Sequence, residues 1–476
     1  MIRRPSALTT ALTTALSLIA VVQVAGCVDL APAYHRPGLP VPASFSATSP
    51  ITASPDLGSW RTFFRDPRLA KMIDLALANN RDLRVAVANV AAARGDYVVQ
   101  RSSLFPKLSA VGAASYGQTP ASVAGGGPAA TGQVNEKLFS AAGRISAWQL
   151  DLFGRLRNGA RAALETYFAT REAADAARIT LVSETATGWL TLGADRALLA
   201  IARNTAASGE ASVSLVRARQ AAGVASDIDL AQAQTVVEQA RADAARLTAL
   251  VEIDRHALER VVGSPVPDDL LPSDIDDPGL VMPALPDALP ATALLARPDV
   301  AQSEDQLKAA NADIGAARAA FFPNISLTGS GGVTSLALSA LFKSASQTWT
   351  FAPSVTESVV DFGANRGALS RANAQRDAAK ANYDRTVQTA FREVADALSE
   401  RATIDAQLSS QIALSSAADR AYTLTDARYR QGSDSYLALL VTQRSAYAAR
   451  QSLTSVKLAR ATNLVTLYTT LGGGLR

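Results

Sequence analysis

Apolar side chains recur along this chain with two different periods. Between Leu230 and Val261, the positions Leu230, Ala233, Val237, Ala240, Ala244, Leu247, Val251, Asp254, Leu258 and Val261 advance by threes and fours without a break, and Asp254 is the one charged member. That spacing is the a/d seam of a coiled coil, and its small residues permit close approach of a partner helix. The proline-free tract from Arg155 to Gln220 predicts a continuous helix of about 100 Å at 1.5 Å per residue. Gly223 interrupts it, a second helix follows to Val262, and the same arrangement recurs around Gly432. Helices of this length need partners along all of it, so they pack as coiled coils, for which an ordinary soluble coiled-coil rod is the plain alternative.

A period of two appears elsewhere. Ser146, Trp148, Leu150 and Leu152 alternate with Ile145, Ala147, Gln149 and Asp151, and Trp349, Phe351, Pro353 and Val355 alternate with Thr350, Ala352, Ser354 and Thr356. Leu108–Tyr116 and Ile325–Val333 are placed to pair with these runs, as hairpins over about 107–152 and 324–361. Aromatics on one face and small polar residues on the other suit a lipid-facing barrel strand, and also a half-buried soluble one. A shorter helix is predicted from Pro67, after the cap Asp66, to just before Pro106, with a counterpart from Pro298 to Phe321.

These elements occur twice. Ala92-Ala93, Arg101 and Phe105-Pro106 reappear as Ala309-Ala310, Arg318 and Phe322-Pro323, 217 residues on. Phe153-Gly154, Arg157, Arg219, Gly223, Gln234, Leu258 and Gly263 reappear 209 residues on as Phe362-Gly363, Arg366, Arg428, Gly432, Gln443, Leu467 and Gly472. The change of offset marks an insertion in the first copy, around the loop Gly125-Gly126-Gly127-Pro128. The chain thus divides into a leader (1–26), an extended segment (27–66), a first repeat (67–264), a Pro-rich linker (265–297) and a second repeat (298–476).

The leader changes the compartment. Arg3 and Arg4 precede an apolar run that ends Val24-Ala25-Gly26-Cys27, the layout of a secretory signal. A membrane anchor is the alternative, but threonines interrupt the run and a Pro-rich segment follows it. Composition narrows the rest. The 476 residues carry 46 Lys+Arg against 42 Asp+Glu, so no one-sided field is available to hold nucleic acid. One cysteine excludes a disulfide framework within the chain, and the two histidines, His35 and His256, lack partners for a metal or a catalytic triad. Gly329-Ser330-Gly331-Gly332 lacks the lysine of a phosphate loop. No enzyme and no cofactor is expected. Much of the apolar content is alanine, which brings too little area per residue for one large globular core.

Val24-Ala25-Gly26-Cys27 resembles a bacterial lipobox, which implies cleavage before Cys27 and acylation there; Val28 in place of aspartate implies sorting to the outer membrane. The mature chain resembles the TolC-like outer-membrane efflux family, in its lipoprotein (NodT-type) branch serving resistance–nodulation–division pumps. The likeness rests on Pro32-Ala33-Tyr34-His35-Arg36-Pro37, Trp60, Phe63, Asp66-Pro67-Arg68-Leu69, Asn79-Asn80-Arg81-Asp82-Leu83, Asp151-Leu152-Phe153-Gly154-Arg155, and Arg428-Tyr429-Arg430-Gln431-Gly432. It implies an α+β membrane protein: a homotrimer whose chains each give four strands to a 12-stranded transmembrane β-barrel, continued by a coiled-coil α-helical barrel in the periplasm. Four strands alone cannot close a barrel, and open edges in lipid leave costly unpaired backbone groups.

The resemblance further implies that the helical-hairpin turns, with Gly223, Gly432, Arg219 and Arg428, meet a periplasmic adaptor protein, and that this end carries the gate. Leu437 matches the apolar gate position, and Tyr429, Asp434, Asp227 and Asp229 are the other gate candidates. The aspartate usual four residues after Leu437 is Val441 here. Helix capping explains the aspartates equally, and a helix break explains each glycine. The expected function is a passive exit duct for small molecules, driven by an inner-membrane pump. A type I protein-secretion duct and a pore-less coiled-coil lipoprotein are the alternatives.

Overall fold

The computed structural model describes residues 28–45, 59–121, 131–276, 279–281 and 289–473. Cys27, the leader and the Gly125–Pro128 loop lie outside them. The elements in chain order are α1 (Trp60–Phe63), α2 (Pro67–Asn79), α3 (Arg81–Ser102), β1 (Leu108–Pro120), β2 (Gln133–Leu150), α4 (Arg155–Ala221), α5 (Asp227–Val262), α6 (Pro298–Ala319), β3 (Asn324–Ser335), β4 (Gln347–Thr356), α7 (Ala364–Arg430) and α8 (Tyr436–Thr470). Both α4 and α7 run for 67 residues. Among the described residues, no helix is long and apolar enough to cross a membrane.

The chain forms two compact units. The first contains Ala91–Phe168 and Glu304–Ala381 with the N-terminal segment through Pro37. Its sheet has four antiparallel strands in the order β1-β2-β3-β4. Both expected hairpins form, and β2 pairs with β3 to join them. The register sorts the side chains by polarity. Opposed residues share a face, so Trp349, Phe351, Pro353 and Val355 stand with Gly331, Gly329, Leu327 and Ile325, while Thr350, Ser354 and Thr356 stand with Ser330, Ser326 and Asn324. Pro353, opposite Leu327, brings no backbone donor to the ladder.

Strand β2 departs from the expected alternation. It begins at Gln133, well before Ile145, and its register shifts between Ile145 and Trp148, where Ala147 takes φ +48°. This bulge puts Ile145 and Trp148 on the same face, opposite Gly329 and Leu327, whereas strict alternation separates them. The N-terminal segment is strapped along the same unit. Val28 N donates to the Leu152 carbonyl at 3.2 Å, and the Asp29 carboxylate accepts from Asn158 (2.9 Å) and Arg161 (2.9 Å). Further along, Asn311 donates to the Pro32 carbonyl at 2.7 Å, and Arg36 pairs with Glu304 at 2.9 Å.

The second unit holds Gly38–Val90, Ala169–Ser303 and Asn382–Arg476. Its main core gathers Trp60, Phe63, Phe64, Leu69 and Met72 with Trp189, Leu190, Leu258, Leu464 and Tyr468. Trp189 Nε1 donates to the Leu270 carbonyl at 2.8 Å, so the indole brings bulk without an unpaired donor. The seam of α5 is as expected: Ala233, Val237, Ala240, Leu247, Val251 and Leu258 are buried, and Leu230, Ala244, Asp254 and Val261 are half-buried. The single helix expected between Pro67 and Pro106 is instead two. Asp66 caps α2 through the amides of Arg68 (2.7 Å) and Leu69 (3.4 Å), as predicted. At Asn80, however, the backbone turns extended (ψ 133°); the side-chain oxygen accepts from Leu83 N at 2.8 Å and the amide donates to the Val261 carbonyl at 2.7 Å. An asparagine offering its own cap competes with helix continuation, and a tertiary partner decides the outcome.

Candidate functional site

The turn joining α4 to α5 and the turn joining α7 to α8 are built alike. Gly223 takes φ +76° and Gly432 φ +75°, the left-handed region where glycine avoids a Cβ penalty. Val224 N donates to the Arg219 carbonyl and Ser433 N to the Arg428 carbonyl, each at 2.9 Å, closing the helix C-termini. The following helices restart on serine. Ser226 and Asp229 form a capping box, with 3.1 Å to the Asp229 amide and 2.9 Å from the Ser226 amide, while Ser435 accepts from Ala438 N at 3.3 Å.

Arg219 ties the two turns together. Its Nη2 donates to the carbonyls of Tyr429 (2.9 Å) and Arg430 (3.0 Å), and its guanidinium lies 4.3 Å from the centre of the Tyr429 ring. A cation on the last carbonyls of α7 satisfies orphan acceptors and meets the negative end of the helix dipole. Tyr429 is buried with Tyr436, edge to face at 5.5 Å, in a cluster with Val216, Val236, Leu439 and Leu440. Burial pushes the Tyr436 phenol up to about 12, so it stays neutral around pH 7.

The gate candidates separate on this geometry. Tyr429 sits inside the cluster. Asp434 is held by Arg428 through bonds of 2.8 and 3.0 Å, and this hydrogen-bonded guanidinium keeps its carboxyl below the usual carboxylate value. Asp229 serves the capping box, and Asp227 accepts from the Gln220 amide. Capping therefore accounts for Asp229, whereas Asp434 is an ion-pair partner. Leu437 and Val441, one helical turn apart, are both 56% exposed, so this stretch of α8 presents an apolar strip where an aspartate was the family expectation. Gly223 and Gly432 face open space.

Two features escaped the sequence reading. Val224 (74% exposed) and Ile228 (68% exposed) flank the first turn as outward apolar side chains; their only trace in the sequence is an apolar residue on each side of a turn signal. The second is Asp195 of α4, which meets the seam residue Asp254 of α5. Burial, then hydrogen bonding and repulsion from Asp254, raise the Asp195 carboxyl to about 7. The Oδ2 atom of Asp254 is buried without a hydrogen-bond partner. No spacing within one helix reveals a pair formed between two.

The profile of the family described as "Outer membrane efflux protein" matches two stretches of the chain, residues 72–264 and 289–473. The chain belongs to the outer membrane efflux protein family. It is 40% identical over 467 residues to the antibiotic efflux pump outer membrane protein ArpC of Pseudomonas putida, covering 96% of this chain and 95% of that one. The toluene efflux pump outer membrane protein TtgC, also of Pseudomonas putida, matches to the same extent, 40% over 467 residues, with 96% and 95% covered. Among solved structures, the open state of the Neisseria gonorrhoeae MtrE outer membrane channel superposes with a TM-score of 0.84 at 35% identity, covering 94% of this chain and 99% of that one. The helical hairpins and four-stranded sheet of this outer membrane efflux protein are thus the family fold, located in the outer membrane with a helical periplasmic portion.

Proposed function

We propose that this protein is the exit duct of a tripartite efflux system, a homotrimer that passively conducts small molecules delivered by an inner-membrane pump through a periplasmic adaptor. The observation that carries the reading is the sheet: four antiparallel strands with one apolar and one polar face, and with both edges, β1 and β4, open. Three copies supply twelve strands and remove every edge that lipid cannot satisfy. Relatives named for antibiotics and toluene point to apolar or amphipathic organic compounds as the cargo. Specificity then resides mostly in the pump.

Cys27 is proposed as the acylated N-terminus. Support comes from the run Val24-Ala25-Gly26 before it; the next residue, Val28, donates its amide to the Leu152 carbonyl just after β2. The matched turns around Gly223 and Gly432, with Arg219 and Arg428, are proposed as the adaptor-facing surface, and Leu437 with Val441 as the apolar constriction. Repeats over 67–264 and 298–476, joined by the 265–297 linker, are the architectural counterpart. The test is purification of the full-length chain in detergent. The expected species is a β-containing trimer that conducts ions in a planar bilayer. A monomer without β signal overturns the duct in favour of a pore-less coiled-coil lipoprotein. Unchanged solvent and antibiotic susceptibility in a deletion strain that instead loses an exported protein favours secretion.

A further inference from the structure

The sheet carries three acidic or basic residues, Glu136, Lys137 and Arg144, all on β2. Glu136 and Lys137 lie towards the β1–β2 connection, opposite Gly117 and Tyr116. Arg144 stands alone, eight residues from Glu136 and so about 26 Å along the strand. Its row runs across all four strands as Ser109, Arg144, Ser330 and Thr350, every member polar. The neighbouring row through Ile145, Leu108, Gly329 and Phe351 belongs to the apolar face. Among the described residues, no carboxylate forms an ion pair with Arg144, and its side chain is exposed.

The bulge decides this placement. Counting back from Trp148 by strict alternation puts Arg144 on the aromatic face, in lipid. The extra residue at Ser146–Ala147 reverses the phase, keeping Trp148 with Ile145 and turning Arg144 to the polar face. An arginine on the lipid face costs from about 0–1 kcal/mol near an interface to about 2–4 kcal/mol at the midplane, a cost the bulge avoids. Because β2 is an interior strand, flanked by β1 and β3, closure between copies leaves Arg144 uncovered.

We infer that Arg144 projects into the barrel lumen and, repeated by the trimer, forms a ring of three unpaired cations that favours passage of anionic solutes over cationic ones. This rests on the trimeric duct proposed above. Twelve strands spaced about 4.8 Å apart and tilted about 40° give a backbone radius of about 12 Å. No point of the lumen then lies much more than one Debye length, about 10 Å at 0.1 M salt, from the wall that carries the ring. Rings of arginine are a standard means of preferring anions.

Two measurements test it. In the first, Arg144→Cys is exposed in intact cells to a charged, membrane-impermeant thiol reagent, with Trp349→Cys as the lipid-face control; the sole native cysteine, Cys27, is blocked if acylated. Labelling at position 144 and none at 349 is expected. An unlabelled position 144 in a folded trimer overturns the inference. In the second, planar-bilayer recordings compare wild type, Arg144→Gln and Arg144→Lys. The chloride-to-potassium permeability ratio is expected to fall about two-fold in Arg144→Gln at 0.1 M salt, to fall further at 0.01 M, and to hold in Arg144→Lys. An unchanged ratio in Arg144→Gln also overturns it. A wild-type protein that forms no trimer and no conductance instead overturns the duct reading itself.

Discussion

The Asp195–Asp254 pair makes the stability of the helical hairpin depend on pH. The perturbation is Asp195→Asn, which keeps the shape and offers an amide donor to Asp254 while removing one charge. Burial and the neighbouring carboxylate raise Asp195 from 3.8 to about 7. Between those values the folded protein holds a proton that the unfolded chain has released. The cost is therefore absent below about pH 4, grows as pH rises through the window, and is complete above about 7. Three pKa units correspond to about 4 kcal/mol, and solvent screening through the half-buried Asp254 reduces this to about 1–2 kcal/mol per protomer. Asp195→Asn is thus expected to raise the thermal midpoint of the detergent-solubilised protein at pH 8 and to leave it nearly unchanged at pH 4.5. Heating followed by gel separation of folded and unfolded species reads both conditions. Equal stabilisation at the two pH values, or a loss at pH 8, would refute the account of a raised Asp195 carboxyl.

Three further outcomes follow from particular contacts. Arg297, 9% exposed, bonds Asp299 (2.7 Å), Glu393 (2.8 Å) and the Thr470 carbonyl (2.9 Å), so Arg297→Ala strands an acceptor and two half-exposed carboxylates. It should cost about 2 kcal/mol, visible as a lower midpoint in the same assay. At the second turn, Gly432→Trp should impair efflux, read as increased drug susceptibility, without loss of folded trimer, because a Cβ there meets open space and the left-handed backbone costs only about 1–2 kcal/mol; Gly432→Asn tolerates that backbone and should retain efflux. Finally, Cys27→Ser should abolish acylation, seen as a lower intact mass after leader removal, and an unaltered acylated mass would exclude Cys27 as the modified residue.

Much of this was legible in the chain itself. Periods of three and four placed α5 and its buried seam, alternation placed β4, and Pro67 after Asp66 placed the start of α2. The paired Gly223 and Gly432 marked both turns. What escaped depends on contacts across elements. Asn80 breaks a helix because Val261 is there to accept its amide. Asp229 and Asp434 look alike in sequence, yet one completes a capping box and the other an ion pair with Arg428.

The sequence alone determined the inventory: landmarks that occur twice, long helical hairpins and amphipathic strands, since each is written in local period and spacing. Only the tertiary structure decided which side Arg144 faces and which carboxyl meets Asp254. A bulge is a property of two paired strands and a carboxyl facing another carboxyl one of two packed helices, and neither leaves a mark in the periodicity of one segment.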